Sequence, residues 1–276
     1  MSRRITITAA ALCAFAALLP SWAVAQTTDP WKLSDSWTFA AILYGYLPSI
    51  GGKTTFPGGE GTDIHINAND IIGNLNGAFM GSLEGQKGAW GAFTDILYMN
   101  VSGTKSQDRN FTLGGMDLPA GVNSDTKLTV KSTVWTLGGS YRVIAQPGAT
   151  MDLLAGARLL DASETLNFQL SGNLDSIPLP GQSTSRSVSE NYWDGIVGVK
   201  GRFGFGDENR WVVPYYADVG TGQSKSTWQL MGGLGYAYNW GSIFAAWRYM
   251  DWNFKSGSKI ESLNLNGPML GVAFRW

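Results

Sequence analysis

The only histidine of this 276-residue chain is the first candidate for chemistry. His65 lies two residues after Asp63, with Glu60 and Asp70 close by in the sequence. A histidine beside a carboxylate could act as a general base, and several oxygen ligands could bind a cation. These residues show no recognised ligand spacing, and a lone histidine in a loop is usually a surface residue. We therefore predict no catalytic residue, no metal site and no cofactor, which means that the protein is not an enzyme.

A larger set of charged residues falls at alternate positions of strand-like segments. Successive side chains of a strand point to opposite faces, so these charges share the face opposite an apolar stripe. The set consists of Glu84, Asp95, Asp152, Asp194, Asp218, Arg142, Arg158, Lys200, Arg202, Arg248 and Arg275. The interpretation of these charges depends on the strands that carry them.

Ten segments alternate with a period of two, and clusters of glycine, proline, asparagine or aspartate bound each one. They lie near residues 36–47, 77–86, 89–102, 128–144, 150–161, 190–205, 210–220, 226–238, 242–254 and 264–276. Four connections are short, near residues 86–89, 146–149, 206–209 and 239–241, whereas most of the others are long. Tight periplasmic turns and long external loops are typical of outer-membrane barrels, with both termini in the periplasm.

The stripes opposite the charges are apolar and carry aromatic residues near the strand ends. Examples are Trp135, Leu137, Trp193, Val197, Trp211, Trp228 and Leu230. Amphipathic aromatic rings suit the two membrane interfaces. We predict an all-β fold, an antiparallel up-and-down transmembrane β-barrel of about ten strands, with eight or twelve as alternatives. A soluble ligand-carrying barrel is the other reading of the alternation.

Such a barrel would enclose the charged face in a narrow lumen, where unpaired charges are costly. Because five acids meet six bases, we expect them to pair across the lumen. Arg142 lies four residues before, and Asp152 three residues after, the turn near residues 146–149, so we expect them to be cross-strand neighbours. We predict an ion pair between them, with the charged groups within about 6 Å.

Three segments share a pattern of an apolar residue, a glycine, three residues and an arginine. They are Leu137–Arg142, Val197–Arg202 and Leu270–Arg275, and the glycine and arginine face inward in each. The arginines could form a partial selectivity ring at the periplasmic rim. Alternatively, each glycine makes room for long neighbouring side chains. We favour this second, structural interpretation.

The last ten residues, GPMLGVAFRW, resemble the terminal recognition signal of bacterial outer-membrane barrels. Gly271, Phe274 and Trp276 carry this resemblance, although Met269 replaces a usual polar residue and the final residue is tryptophan. The resemblance implies recognition by the barrel assembly machinery and insertion among outer-membrane lipids.

The amino terminus reads as a secretory signal covering residues 1–25. Arg3 and Arg4 precede an apolar run that ends at Pro20, and Ala23-Val24-Ala25 forms a small-residue cleavage site. Residues 26–276 then form one barrel domain in the outer membrane, which we expect to be a monomer. A net charge of −1 gives no indication of nucleic-acid binding.

Two long external loops are predicted. The first, residues 48–76, contains the alternating run Thr62–Asn67 and a short helix beginning at Asp70 with Asn69 as its cap, and it could cover the barrel mouth. The second, Ser163–Ser189, is rich in Ser, Asn, Pro and Gly, which favours mobility.

Three stretches resemble a poorly characterised family of proteobacterial outer-membrane β-barrel proteins. These are Phe79–Val101, the region Trp228–Tyr249 with its GGLGYAYNW sequence, and the closing GPMLGVAFRW. The resemblance implies a barrel and its location, but no agreed reaction or ligand.

Three kinds of role are compatible with this sequence. The first is an integral outer-membrane barrel with a structural, surface-interaction or narrow-channel role, since ten strands enclose less space than a 16-stranded porin. The second is a barrel enzyme acting on envelope lipid or peptide. Asp63-Ile64-His65 resembles half of an omptin protease site, but the Asp-x-Asp partner is absent from the sequence. The third is an adhesin that uses its long loops.

Overall fold

The computed structural model describes residues 31–55, 61–107, 112–113, 116–117, 122–174, 177–258 and 260–276. The predicted signal segment, residues 1–25, lies outside these ranges. None of the helices in these ranges is long and apolar enough to cross a membrane.

Strands account for almost all of the regular structure. They are β1 (Thr38–Tyr46), β2 (Ser49–Thr55), β3 (Gly61–Ile66), β4 (Leu75–Lys87), β5 (Trp90–Gln107), β6 (Thr112–Leu113), β7 (Met116–Asp117), β8 (Val122–Gln146), β9 (Ala149–Leu174), β10 (Ile177–Phe205), β11 (Trp211–Gly222), β12 (Ser226–Tyr238), β13 (Gly241–Asn253) and β14 (Ile260–Arg275). One short helix, α1 (Ala68–Asn74), and a 3₁₀ turn at Asp207–Asn209 complete the list.

Ten of these strands close into an antiparallel barrel in the order β1-β4-β5-β8-β9-β10-β11-β12-β13-β14. The pairing of β14 with β1 completes the ring, with Arg275 opposite Ala40 and Met269 opposite Tyr46. Closure gives each strand a paired neighbour on both sides over at least part of its length, so that most backbone groups of the wall are satisfied within it, as hydrocarbon surroundings require. The predicted fold class and strand number are confirmed.

The outward face of the barrel is apolar, as the sequence predicted. Leu270 is 68 % exposed, and Trp193, Trp211 and Trp228 are 44 %, 43 % and 38 % exposed. A soluble protein would place such residues in a dry core, so this surface is a lipid-facing one. On the inward side of β14, Met269 is buried, which confirms the predicted alternation of this strand.

Aromatic rings cluster at two levels of the wall. Near the short turns, ring contacts join Phe205, Trp211, Tyr236, Tyr238, Trp240 and Phe274 in a continuous row. Further along the strands, Trp135 contacts Trp193, and Trp228 stacks on Tyr249. The two levels correspond to the aromatic girdles at the two membrane interfaces. Because short turns are typical of the periplasmic side of such barrels, we assign the end with the short turns to the periplasm.

The prediction of a loop at Ser163–Ser189 was wrong, because the described residues of this segment are strand. β9 and β10 continue their ladder through this region, from the pair Ser163–Ser189 to the pair Leu174–Ile177. β8 runs beside β9 over the same length, and Val122 lies opposite Gly172. Backbone hydrogen bonding between neighbouring strands thus overrides a composition that would favour a loop.

The first external loop contains more structure than predicted. β2 and β3 form a hairpin whose first strand, β2, pairs with the upper part of β14. The helix begins at Ala68 with Asn67 as its N-cap residue, not at Asp70 with Asn69, and Asn67 makes no side-chain capping bond. Ile71, on α1, is 1 % exposed.

The interior is layered along the barrel axis. Its external half is an apolar core, into which Ile71 packs together with Tyr46, Ile50, Leu97, Met99, Val134, Leu160, Met250, Trp252 and Leu265. The middle and the periplasmic half carry the charged side chains. This division places the polar candidate site below an apolar layer.

Candidate functional site

Charged side chains from opposite walls meet in the middle of the lumen. Arg248 Nη2 on β13 donates to Asp95 Oδ2 on β5 at 2.8 Å. Four strand steps around the ring separate β13 from β5 by the shorter route, so this ion pair crosses the lumen. The side chain of Arg248 is 4 % exposed.

A second buried ion pair joins Arg158 on β9 to Asp218 on β11 through both guanidinium nitrogens. Both side chains are fully buried. Such a bidentate contact is among the stronger polar interactions because both partners are charged and the geometry is fixed. The pair spans β10 and occupies the same level as the first.

Gln229 on β12 connects the two ion pairs. Its Oε1 atom accepts hydrogen bonds from Arg158 Nη2 at 3.1 Å and from Arg248 Nη2 at 3.0 Å. A continuous polar chain therefore runs from Asp218 through both arginines to Asp95. We call these five residues, Asp218, Arg158, Gln229, Arg248 and Asp95, the central network.

Two tyrosines of β1 attach the central network to the seam where the barrel closes. Tyr44 Oη donates to Asp95 Oδ1 at 2.9 Å and accepts a bond from Arg248 Nη1 at 3.0 Å. Tyr46 Oη donates to the backbone carbonyl of Arg248 at 2.9 Å. Together with these tyrosines, the network therefore contacts six of the ten barrel strands, namely β1, β5, β9, β11, β12 and β13.

A third ion pair crosses the lumen nearer to the periplasm. Lys200 Nζ on β10 lies 2.8 Å from Glu84 Oε1 on β4. The same ammonium lies 4.5 Å from the ring centre of Phe93, within cation–π range. This pair also joins strands four steps apart, so the lumen is crossed at two levels.

The predicted Arg142–Asp152 ion pair is confirmed. Arg142 Nε donates to Asp152 Oδ1 at 2.7 Å and Nη2 to Oδ2 at 3.1 Å. The two residues are register partners across the β8–β9 turn, because an irregularity between Arg142 and Ile144 shifts the ladder by one residue.

The arginines of the repeated glycine–arginine pattern lie together at the periplasmic end. Arg142, Arg202 and Arg275 all line a cavity of about 260 Å³. The guanidinium of Arg202 lies 5.1 Å from the ring centre of Trp31, and Arg275 Nη1 lies 3.4 Å from Ser242 Oγ. Trp31 is buried, so the segment before β1 helps to cover this end.

The charged lining of this cavity is unequal. Six basic side chains face three acidic ones, namely Lys32, Arg142, Lys200, Arg202, Arg248 and Arg275 against Glu84, Asp95 and Asp152. The chamber is therefore electropositive, in contrast to the near balance predicted for the lumen as a whole.

The glycines of the pattern have the structural role that we favoured. A Cβ atom at Gly138 would lie 2.8 Å from the ring of Phe93. At Gly271 a Cβ atom would meet the ring of Phe244. Both positions therefore need glycine, because an inward aromatic ring occupies the space of a side chain.

Among the residues that the structure describes, Asp194 joins no ion pair. Its carboxylate accepts bonds from Ser224 N at 2.9 Å and Ser224 Oγ at 2.7 Å, at the connection between β11 and β12. The expectation that it pairs with a base of the lumen was wrong, since the backbone amide of a buried turn satisfies it instead.

The histidine lies apart from the charged interior. His65 on β3 is exposed, and its Nε2 atom is 3.0 Å from Asn67 Oδ1. Glu60 lies outside the described residues. Among the residues that the structure describes, no three His, Cys, Asp or Glu side chains cluster as metal ligands.

The three residues of the predicted assembly signal lie on the closing strand or just after it. Gly271 faces inward, whereas Phe274 and Trp276 point outward. Phe274 lies 5.5 Å from the ring of Trp240, and Trp276 lies 6.0 Å from that of Phe39. Their outward rings remain accessible in the folded barrel.

Sequence reasoning missed Gln229, Tyr44 and Trp31 as parts of the interior. Gln229 lies between the outward residues Trp228 and Leu230, so its inward position was readable from the alternation. Neither Gln229 nor Tyr44 carries a charge, and the predicted network consists of charged residues alone. Trp31 precedes the first strand, where no alternation indicates a direction.

Closure of the barrel and its apolar exterior define an integral β-barrel protein of the bacterial outer membrane. No protein-family model matches the chain, and no curated protein is related to it at a significant level. Among solved structures, the outer membrane protease OmpT of Escherichia coli is similar, with a TM-score of 0.43 and 11 % identity over 88 % of this chain and 97 % of its own.

Two further solved barrels are similar. The attachment invasion locus protein Ail of Yersinia pestis has a TM-score of 0.30 and 13 % identity, covering 88 % of this chain and 99 % of its own. The translocator domain of the autotransporter NalP of Neisseria meningitidis has a TM-score of 0.28 and 15 % identity, covering 87 % and 88 %. The class of the present chain follows from its own closure and surface.

Proposed function

We propose that this protein is a closed, non-conducting barrel that presents a rigid β-sheet at the cell surface for interaction with a partner. The central network supports the first half of this proposal, the closed and non-conducting lumen. Arg248 and Asp95 meet across the lumen, and Lys200 and Glu84 meet across it again below. A path for water and ions would have to pass both levels.

Energetics support a sealed lumen. Separating the partners of a buried ion pair costs about 3 to 5 kcal/mol, since a charge is left uncompensated. Above the network, the apolar core adds a second barrier, with Leu97, Val134 and Met250 fully buried. The side chains that form this layer are mostly apolar, so an ion that enters it loses its water with little compensation. We therefore favour the interaction role over the narrow channel.

The external part of the wall supports the second half of the proposal. A tilted strand needs about 9–11 residues to cross a bilayer, whereas β8, β9 and β10 have 25, 26 and 29 residues. The part of β9 beyond Asp161 extends roughly 40 Å along the strand at the usual rise per residue. Paired strands present a fixed surface, which suits recognition better than a mobile loop.

The remaining expectations belong to the same proposal. The chain is a monomer, is inserted among outer-membrane lipids by the barrel assembly machinery, and is not an enzyme. Its relationship to the poorly characterised proteobacterial family rests on the three sequence stretches named above. The exposed position of His65, in contact with Asn67, supports a surface residue rather than a base.

Thiol labelling tests the sealed lumen. Cys13 is the only cysteine and lies in the predicted signal, so a single introduced cysteine is specific. Met250→Cys, in the apolar core, should stay unlabelled by a charged maleimide until the protein is denatured. Ser36→Cys, exposed at the periplasmic end, is the control and should react at once. Rapid labelling at position 250 in the folded barrel would show an open lumen.

Shortening the external sheet tests the surface role. A variant in which a tight turn replaces residues 166–186 keeps the membrane-crossing part of β9 and β10. Cells that display the full-length protein should adhere to at least one member of a panel of polysaccharide- and protein-coated surfaces, and cells that display the shortened variant should not. Equal adhesion of both would contradict the role of the sheet.

A further inference from the structure

The barrel wall has a seam between β1 and β4. Their ladder pairs Thr38 through Leu43 with Gln86 through Gly81 and stops there, although both strands continue. Above this point β1 and β2 remain paired with β14. Within the described residues, the upper part of β4 is paired only with β5. The two strand edges therefore separate toward the external side.

Hydrogen bonding at the seam shows the separation directly. Continuing the register would place Tyr46 opposite Ala78, where an intact ladder would supply a carbonyl. The Tyr46 amide instead donates to the thioether sulfur of Met80 at 3.1 Å. Thioether sulfur is a weak acceptor, and incompletely satisfied backbone groups are unfavourable at membrane depth. A gap in the hydrogen bonding of a membrane wall is therefore unfavourable for stability, and we ask what function it could serve.

A cavity of about 260 Å³ lies at the seam, between β1 and β4. The inward-facing residues Ile71, Met80 and Met99 line its inner part, and Leu47, which follows the inward Tyr46 and is 37 % exposed, lines its outer part. Because both faces of the wall contribute, the cavity passes from the lipid side into the apolar core. Ala78 confirms the opening, since it is exposed although it occupies an inward position of β4.

The cavity opens sideways. Helix α1 lies against β5 and β2, and its residue Ile71 is 1 % exposed, so the external end of the cavity is covered. Leu43 and Phe79, which flank the mouth, are 56 % and 58 % exposed on the lipid face. The medium in front of the mouth is therefore the hydrocarbon of the bilayer.

We propose that the seam binds one acyl chain of a membrane lipid, which enters laterally between β1 and β4. The lining is almost entirely apolar, so an alkyl chain fits it and a polar headgroup does not. An enclosed apolar cavity of roughly 150 Å³ suffices to bind benzene, so the larger space here accommodates a longer segment of chain. The headgroup remains outside, at the level of Leu47 and Leu75.

Photolabelling tests this proposal. The full-length protein is reconstituted into vesicles that contain a phospholipid with a diazirine at the end of one acyl chain, and it is irradiated and mapped by mass spectrometry. We expect label on the inner residues Met80 and Met99 as well as on the outer residues Leu43 and Phe79. Label confined to the outer residues would overturn the proposal.

Matched variants show whether the label enters through the seam. Ala78→Phe, and the milder Ala78→Leu, fill the cavity and should abolish the label on Met80 and Met99. Ala245→Phe adds the same bulk at an exposed position of β13 and should leave it unchanged. Outer label on Leu43 in every variant reports a folded, inserted barrel. Inner label that persists in both Ala78 variants would contradict lateral entry.

A second arm distinguishes the source of the chain. Free diazirine fatty acid is added to vesicles of unlabelled phospholipid. The proposal expects the phospholipid probe to label Met80 in the absence of any free acid. If only the free fatty acid labels the inner residues, the seam binds a soluble amphiphile and not a membrane lipid, and the assignment is wrong. Neither arm depends on whether the lumen conducts ions.

Discussion

Arg248 and Asp95 lie on nearly opposite walls of the barrel, and their charged groups meet at 2.8 Å. The contact connects the end of the chain to its beginning, because the residues are 153 positions apart in the sequence. It also fixes the width of the barrel at that level. An interaction of this kind stabilises one closed arrangement of the ten strands over others.

Removal of Asp95 should destabilise the barrel. Asp95→Ala leaves the guanidinium of Arg248 buried without its carboxylate, at a cost of about 3 to 5 kcal/mol. Urea unfolding in lipid vesicles measures the loss. Asp35→Ala, exposed before β1, is the control and should change stability by less than about 0.5 kcal/mol.

The double variant Asp95→Leu with Arg248→Met should recover most of that loss, because apolar replacement of a whole buried pair is often neutral. Equal stability of Asp95→Ala and Asp35→Ala would show that the ion pair does not hold the walls together.

Gln229 should be the most sensitive uncharged position of the interior. Gln229→Leu removes the acceptor that two arginines share, and we expect a loss of about 1 to 3 kcal/mol in unfolding free energy. Gln229→Glu retains an acceptor for both guanidinium groups and should be more stable than the leucine variant. The reverse order would mean that Gln229 does not bridge the two ion pairs.

Asp194 should order the connection between β11 and β12. Asp194→Ala removes the acceptor of the Ser224 amide, so hydrogen exchange at residues 222–225 should accelerate. Exchange in the β8–β9 turn, which Arg142 and Asp152 flank, is the internal control and should not change. Unaltered protection at Ser224 would argue against this role.

The carboxyl-terminal aromatic residue should matter for assembly more than for stability. Trp276→Ala should lower the fraction of heat-modifiable, folded barrel in the outer membrane of cells. Trp240→Ala removes a ring from the aromatic row near the short turns and should assemble normally. Equal defects in both variants would assign the effect to the aromatic girdle and not to an assembly signal.

Most of the wall was predictable because alternation is a local property. β12 occupies the predicted residues 226–238, and β13 begins and ends within one residue of the prediction. The hairpin of β2 and β3 was not predictable, since the sequence Ser49–Thr55 shows little alternation. Its pairing comes from the upper end of β14, which offers a free edge once β1 ends.

The interior was predictable only in part. Parity along a strand placed the charges on the inward face, and closeness to a short turn indicated the Arg142–Asp152 pair, which a register shift in β8 brings into line. The partners of Arg158 and Arg248 depend on which strands oppose one another across the lumen. That relationship follows from the closure and tilt of the whole barrel, which no local sequence pattern specifies.

Single-channel recording in planar lipid bilayers tests the sealed lumen most directly. The purified, folded protein should insert without producing unitary current steps in potassium chloride at either polarity, whereas a 16-stranded porin recorded under the same conditions should conduct. Reproducible current steps from the wild-type barrel would contradict a lumen closed by the central network and would support a narrow channel as the function.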